Sequence, residues 1–259
     1  MSFSEVELLN RLAQFFWPLL RIGAMFVAMP VLSGRLVPSR FMAGLVLLIT
    51  FLVIPFLPEA PAVELFSYEG FLLAGQQVFI GIMSGFVIQL VFAALIFGGQ
   101  STAFSMGLGF ASMVDPTSGV QVPVVSQFYL ILGSLIFLLM DAHLLLIEMM
   151  VDSFSTIPVA LDGISRNTIW DLIRWSSRLF VGGLLMALPV VSTLLLVNMG
   201  FGVASRAAPQ LNIFSVGFPI TLLLGLLIMW VTLPAVLNLF SGLLNDSYLM
   251  LGQMLLIRS

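Results

Sequence analysis

Two long stretches without a charged side chain limit this chain more than any other feature. None occurs from Gly70 to Val114, and none from Ala207 to Asn245. Runs of about 18 or more apolar residues mark helices that sit in hydrocarbon. Strands are disfavoured, because a membrane barrel is written in short alternating stretches. With no water to bond its amides, each run must close its own backbone hydrogen bonds, and a helix does so. The composition agrees. Hydrophobic residues make up 60% of the 259 and charged residues 8%, against about a quarter charged in a soluble domain. Water could not wet this surface all round, so an all-α, membrane-type protein is predicted.

Six main apolar segments stand out, running roughly Phe15–Leu32, Phe41–Leu57, Phe71–Gly98, Val122–Val151, Leu179–Phe201 and Ile213–Phe240. Straight spans fit them poorly. As one helix, Phe71–Gly98 would be about 42 Å long, against a hydrocarbon core of about 30 Å. Pro18, Pro30, Pro55, Pro189, Pro219 and Pro234 fall inside or at the ends of these segments. Each removes a donor, so kinked helices and helical hairpins are expected. The arginines raise the same objection. Arg35 and Arg40 follow the first segment, Arg166, Arg174 and Arg178 the fourth, and Arg206 the fifth. Six straight spans cannot put all three basic loops on one face, as membrane insertion prefers. Either one segment is re-entrant or the helices do not cross a bilayer in the ordinary way.

The ends and the charge add limits. Glu5 and Glu7 stand where a cleavable signal would be basic, so the first segment is expected to stay in the mature chain. Ser241–Ser259 mixes leucines with Asn245, Asp246 and Gln253, the pattern of a C-terminal amphipathic helix. No linker or repeat divides residues 1–259, which read as one domain. A net charge of −3 gives no reason to expect nucleic acid. Without cysteine, and with His143 the only histidine, disulfides, thiolate chemistry and a multi-histidine metal centre are excluded. No metal or cofactor is expected.

Three constellations are candidate sites. Gly98–Pro123, GGQSTAFSMGLGFASMVDPTSGVQVP, sets Phe104, Met106, Phe110 and Met113 among five glycines, followed by Asp115. Free backbone plus soft apolar bulk suits a movable plug that seals by excluding water, and it also suits an ordinary helix end and loop. Asp141, Glu148 and Asp152 would lie within roughly 20–40° of one face on a single helix, a candidate proton or cation path or simply a polar face. His143 would sit about 200° from Asp141 and so complete no relay. Around Pro209, Arg206, Gln210 and Asn212 form a polar turn that could clamp exposed backbone or merely mark an interface. Catalysis is not expected. Walker, dinucleotide, H-E-x-x-H and G-x-S-x-G patterns are absent, and Asp141 and Asp152 would be about 16 Å apart, too far for a dyad.

The chain resembles the FliR family of flagellar type III export-gate subunits and the related component of virulence injectisomes. The most specific stretch is Leu188–Pro219, with R-A-A-P-Q-x-N-x-F at Arg206–Phe214. Gly107–Gly119, Met140–Pro158 and Leu19–Arg40 follow. The family often carries a second arginine near Met42, which this chain lacks. The resemblance implies a FliP-like part over about 1–180, and over about 181–259 a FliQ-like hairpin plus the C-terminal amphipathic helix. It further implies a helical pore assembly with FliP and FliQ, working with FlhA and FlhB in the bacterial inner membrane at the flagellar basal body. Unfolded rod, hook and filament subunits would pass through it, in contact with membrane lipid on the outside. Gly98–Pro123 would then be the plug, and Arg206, Pro209, Gln210, Asn212 and Phe214 a subunit interface. The alternative is a stand-alone proton- or ion-coupled secondary transporter using Asp141, Glu148 and Asp152.

Overall fold

A computed structural model describes residues 5–30, 38–58, 63, 67–109, 123–160, 163–207 and 213–257. The described residues are helical, with no strand among them. In chain order the helices are α1 (Glu5–Ala28), α2 (Ser39–Val53), α3 (Tyr68–Ser105), α4 (Val124–Leu139), α5 (Ala142–Thr156), α6 (Arg166–Trp175), α7 (Ser177–Ala207) and α8 (Ile213–Met254). A short 3-10 turn, Ile54–Phe56, follows α2, where Pro55 has no N–H to continue the α-helical ladder.

Two expectations about these helices are corrected. The segment taken as one helix over Val122–Val151 is broken between α4 and α5, and Asp141 adopts a left-handed φ of 51° there. Aspartate is one of the few residues that tolerates this conformation, because its short side chain can bond locally. Ser241–Met254 is no separate C-terminal helix. It is the last part of α8, which runs 42 residues without interruption.

The span count changes too. Among the described residues four helical stretches are long and apolar enough to cross a membrane, or five if the broken α4–α5 pair counts as one. The first segment is apolar helix only over Leu12–Ala28. At 38 and 42 residues, α3 and α8 are about 57 and 63 Å long, roughly twice a hydrocarbon core.

Prolines 18, 189, 219 and 234 lie inside helices that continue past them. The hydroxyls are spent close to home. Thr50 donates to the Val46 carbonyl at 2.7 Å, Ser84 to Ile80 at 2.9 Å, Thr193 to Pro189 at 2.8 Å and Thr232 to Ile228 at 2.8 Å. Such bonding to the preceding turn hides a polar group that nothing in an apolar setting would satisfy.

The chain divides into two compact units. The first comprises residues 1–90, 138–176 and 245–259, the second residues 91–137 and 177–244.

In the first unit α1 and α3 lie side by side and parallel. Trp17 packs with Leu73, Arg21 bonds Gln77, and Gly81 and Gly85 face Ala24, Met25 and Ala28. The row 73, 77, 81, 85 follows the i, i+4 ridge of a helix. Glycine is required at its end, because a Cβ on Gly85 would stand 2.6 Å from the Met25 carbonyl oxygen. The C-terminal part of α8 closes over α5. The Tyr248 hydroxyl donates to the Ala142 carbonyl at 2.8 Å, and Thr156 donates to that of Leu255.

The second unit is built on aromatic and small-residue contacts. The ring of Phe92 meets Phe137 and Phe240 edge-on at 5.6 and 5.5 Å. Gly98 and Gly183 let α3 and α7 touch backbone to backbone, a Cβ on Gly98 falling 2.9 Å from the Gly183 oxygen. The α7 and α8 helices run antiparallel, since Gly182 meets Leu243 and Leu194 lies by Gly225.

Candidate functional site

The end of α3 turns into the Gly98–Pro123 segment in a defined way. Met106 is fully buried and fills the space left by Gly225, where a Cβ would come within 2.6 Å of its Cγ. The next residue, Gly107, has φ +82° and lies against the ring of Phe218, 3.1 Å from where a Cβ would stand. A left-handed backbone against an aromatic ring admits only glycine. Met106, read from sequence as a gating residue, therefore sits as an anchor. Phe104, two residues earlier, faces outward with 60% of its surface exposed. Phe110, Met113 and Asp115 lie outside the described residues.

Phe104 and Gly107 open onto a cavity of about 730 Å³ within the second unit. Phe201 and Phe218 supply the rest of its aromatic wall, and Asn198 and Thr221 are among its polar lining residues. Among the described residues, rings, small residues and a few neutral polar groups make a lining without any formal charge. Such a surface offers apolar contact and single hydrogen bonds, and nothing that would select one charged ligand.

The other constellations fare unequally. Arg206 stands exposed in the last turn of α7, where a cation is favoured by the helix dipole. Pro209, Gln210 and Asn212 lie outside the described residues, while Phe214 falls in the first turn of α8 with its side chain outside the description. The three carboxylates do not share a helix. Asp141 is in the break, and only Glu148 and Asp152 lie on α5. All three are exposed, and His143 is half-buried. A stripe on one continuous helix is thus ruled out by the turn at Asp141. Among the described residues no group of three histidine, aspartate or glutamate side chains could hold a metal ion.

The residue that sequence reasoning passed over is Arg21, completely buried in the first unit. Its Nε donates to Gln77 Oε1 at 2.7 Å and its Nη1 to the Ser153 carbonyl and hydroxyl at 3.1 and 3.0 Å. Its Nη2 donates to the Ile157 carbonyl at 2.9 Å, and the guanidinium lies 4.0 Å over the Phe154 ring. A signal existed. Arg21 sits inside the first apolar segment rather than beside it, and an ionisable residue in that position always asks for a partner.

Comparison with known proteins adds to this geometry. The profile of the family described as bacterial export proteins, family 1, matches residues 12–247. The flagellar biosynthetic protein FliR of Pectobacterium carotovorum subsp. carotovorum is 40% identical over 236 residues, covering 91% of this chain and 90% of that one. FliR of Escherichia coli strain K12 is 39% identical over 249 residues, 95% of each chain. FliR of Bacillus subtilis strain 168 is 28% identical over 225 residues, 86% of each.

Proposed function

This chain belongs to the bacterial export proteins, family 1, and on that premise we propose that it is a core subunit of the flagellar type III protein export gate. It forms the pore with FliP- and FliQ-like subunits in the bacterial inner membrane at the flagellar basal body, next to FlhA and FlhB. Unfolded flagellar subunits pass through, and the chain performs no catalysis.

The observation that carries this reading is the junction at Met106–Gly107. A buried methionine fixes the end of α3, and a left-handed glycine then redirects the chain beside an uncharged, phenylalanine-walled cavity. That is the mounting a plug needs, a firm root followed by a free change of direction. An unfolded polypeptide carries charges of both signs, and the described lining, without formal charge, holds neither sign by a specific ion pair. The seal then consists of excluded water and not of a specific bond.

The test is ion conductance of the assembled complex reconstituted in a bilayer. Deleting residues 108–121 while keeping Met106 is expected to make the complex leak small ions. An unchanged conductance with the complex intact would remove the plug assignment.

A further inference from the structure

A buried arginine ordinarily takes a carboxylate, because a lone charge away from water is costly. Arg21 has none. Its hydrogen bonds go to two backbone carbonyls, one hydroxyl and one amide oxygen, all neutral. The two carbonyls explain the arrangement. Ser153 lies in the last turn of α5 and Ile157 is the residue that ends it. The Ser153 carbonyl also accepts the Ile157 N–H at 2.8 Å, so the guanidinium shares it, and the carbonyls of this last turn together carry the negative end of the helix dipole, equivalent to roughly half a charge.

We propose that Arg21 is the cationic cap of α5, standing in place of a carboxylate pair, so that the position of this helix end is set by one side chain of α1. Gln77 on α3 orients the cap. A guanidinium only donates, so the Gln77 amide must turn its oxygen inward, and its Nε2 is left without an acceptor among the described residues. The ring of Phe154, one turn before the helix end, lies under the guanidinium and fixes its plane. Gly81 allows the close approach of α1 and α3 at this level, since a Cβ there would come within 2.8 Å of that of Ala24. Three helices therefore meet at one cation. Lysine could supply the charge but not the fork that reaches Gln77, Ser153 and Ile157 together.

The chain contains no cysteine, so a single introduced thiol reports local opening cleanly. Ile157→Cys places it at the capped end, where the native side chain is buried, and Ile80→Cys places a control in the equally buried wall of α3. Labelling is read with a small maleimide on the full chain in its native membrane. Arg21→Met is expected to speed labelling at position 157 at least tenfold and leave position 80 unchanged, with Arg21→Lys in between. No change at position 157 in Arg21→Met would overturn the proposal. Should Arg21→Met open both positions alike, Gln77→Leu decides, because it keeps the arginine and removes only its orienting acceptor. A rise confined to position 157 then supports the cap, and no rise, or an equal rise at both, overturns it.

Discussion

Helices α3 and α8 are equally apolar and nearly equally long, with a mean hydropathy of 2.4 over their most apolar stretches, yet they live in different surroundings. In α3, 67% of that stretch is buried within the chain, and in α8 only 17%. The difference lies in side-chain size and not in hydropathy. Glycines at 81, 85, 98 and 99 bring neighbouring backbones onto α3, whereas α8 turns Leu223, Leu227, Trp230 and Val231 outward. Small residues let helices approach where apolar contact alone gives them no reason to. An exposed face as bulky as that of α8 has to be covered by lipid or by other chains.

The largest effect that would sharpen this contrast is expected at Phe92 in α3, which is buried against Phe137 and Phe240. Phe92→Ala should cost about 3–5 kcal/mol in thermal unfolding of the detergent-solubilised chain, as large core truncations do. Trp230→Ala, on the open face of α8, should stay within about 0.5 kcal/mol. If the two were equal, the contrast would fail.

Next comes Gly81→Ala, whose new methyl meets the backbone of α1. It should destabilise by about 1–3 kcal/mol, the usual range for overpacking. Gly242→Ala in α8 has open space around it and should be neutral or gain up to about 1 kcal/mol from helix propensity.

Asp141 offers a smaller effect of another kind. Asp141→Val should cost about 1–2 kcal/mol, because a β-branched residue resists the left-handed backbone. Asp141→Asn should keep both fold and export, measured as thermal unfolding and as motility of complemented cells. Loss of export in a folded Asp141→Asn chain would return weight to a proton path.

The smallest effect is expected at Ser84→Ala, where a hydroxyl bonded to its own helix is lost. The change should remain within about 0.5 kcal/mol, since both partners are local and the helix carbonyl keeps its main bond.

Much of this fold could be read from residues. The charge-free stretch from Gly70 placed α3, and the run from Ile213 placed α8, because apolar length reports helices in hydrocarbon directly. The break at Asp141 could not be read the same way. Met140–Asp141 lies in a hydrophobic stretch interrupted only by Asp141 and His143, with no glycine or proline beside it to mark a turn, and a single aspartate reads as readily as a helix residue. The continuation of α8 through Asn245 and Asp246 was hidden for the opposite reason. Polar residues look like a boundary, but Leu244, Ser247, Leu251 and Met254 keep one face buried throughout.

At the candidate site the glycine, phenylalanine and methionine pattern located the end of α3, while the split of roles between Phe104 and Met106 needed Gly225 to be seen beside them. Arg21 was legible as an oddity and not as a cap, since its acceptors are backbone carbonyls 132 and 136 residues away.

The hydroxyls that α8 spends on its own turns carry a consequence for assembly. Thr221, Thr232 and Ser241 bond the Phe218, Ile228 and Leu237 carbonyls, so these groups ask nothing of whatever covers the helix. A neighbour can be recognised there by shape alone, and it can leave without stranding a polar group of theirs. The outward face of Leu223, Leu227, Trp230 and Val231 is apolar throughout, so it can rest against acyl chains or against another chain with no bond to be broken at the exchange.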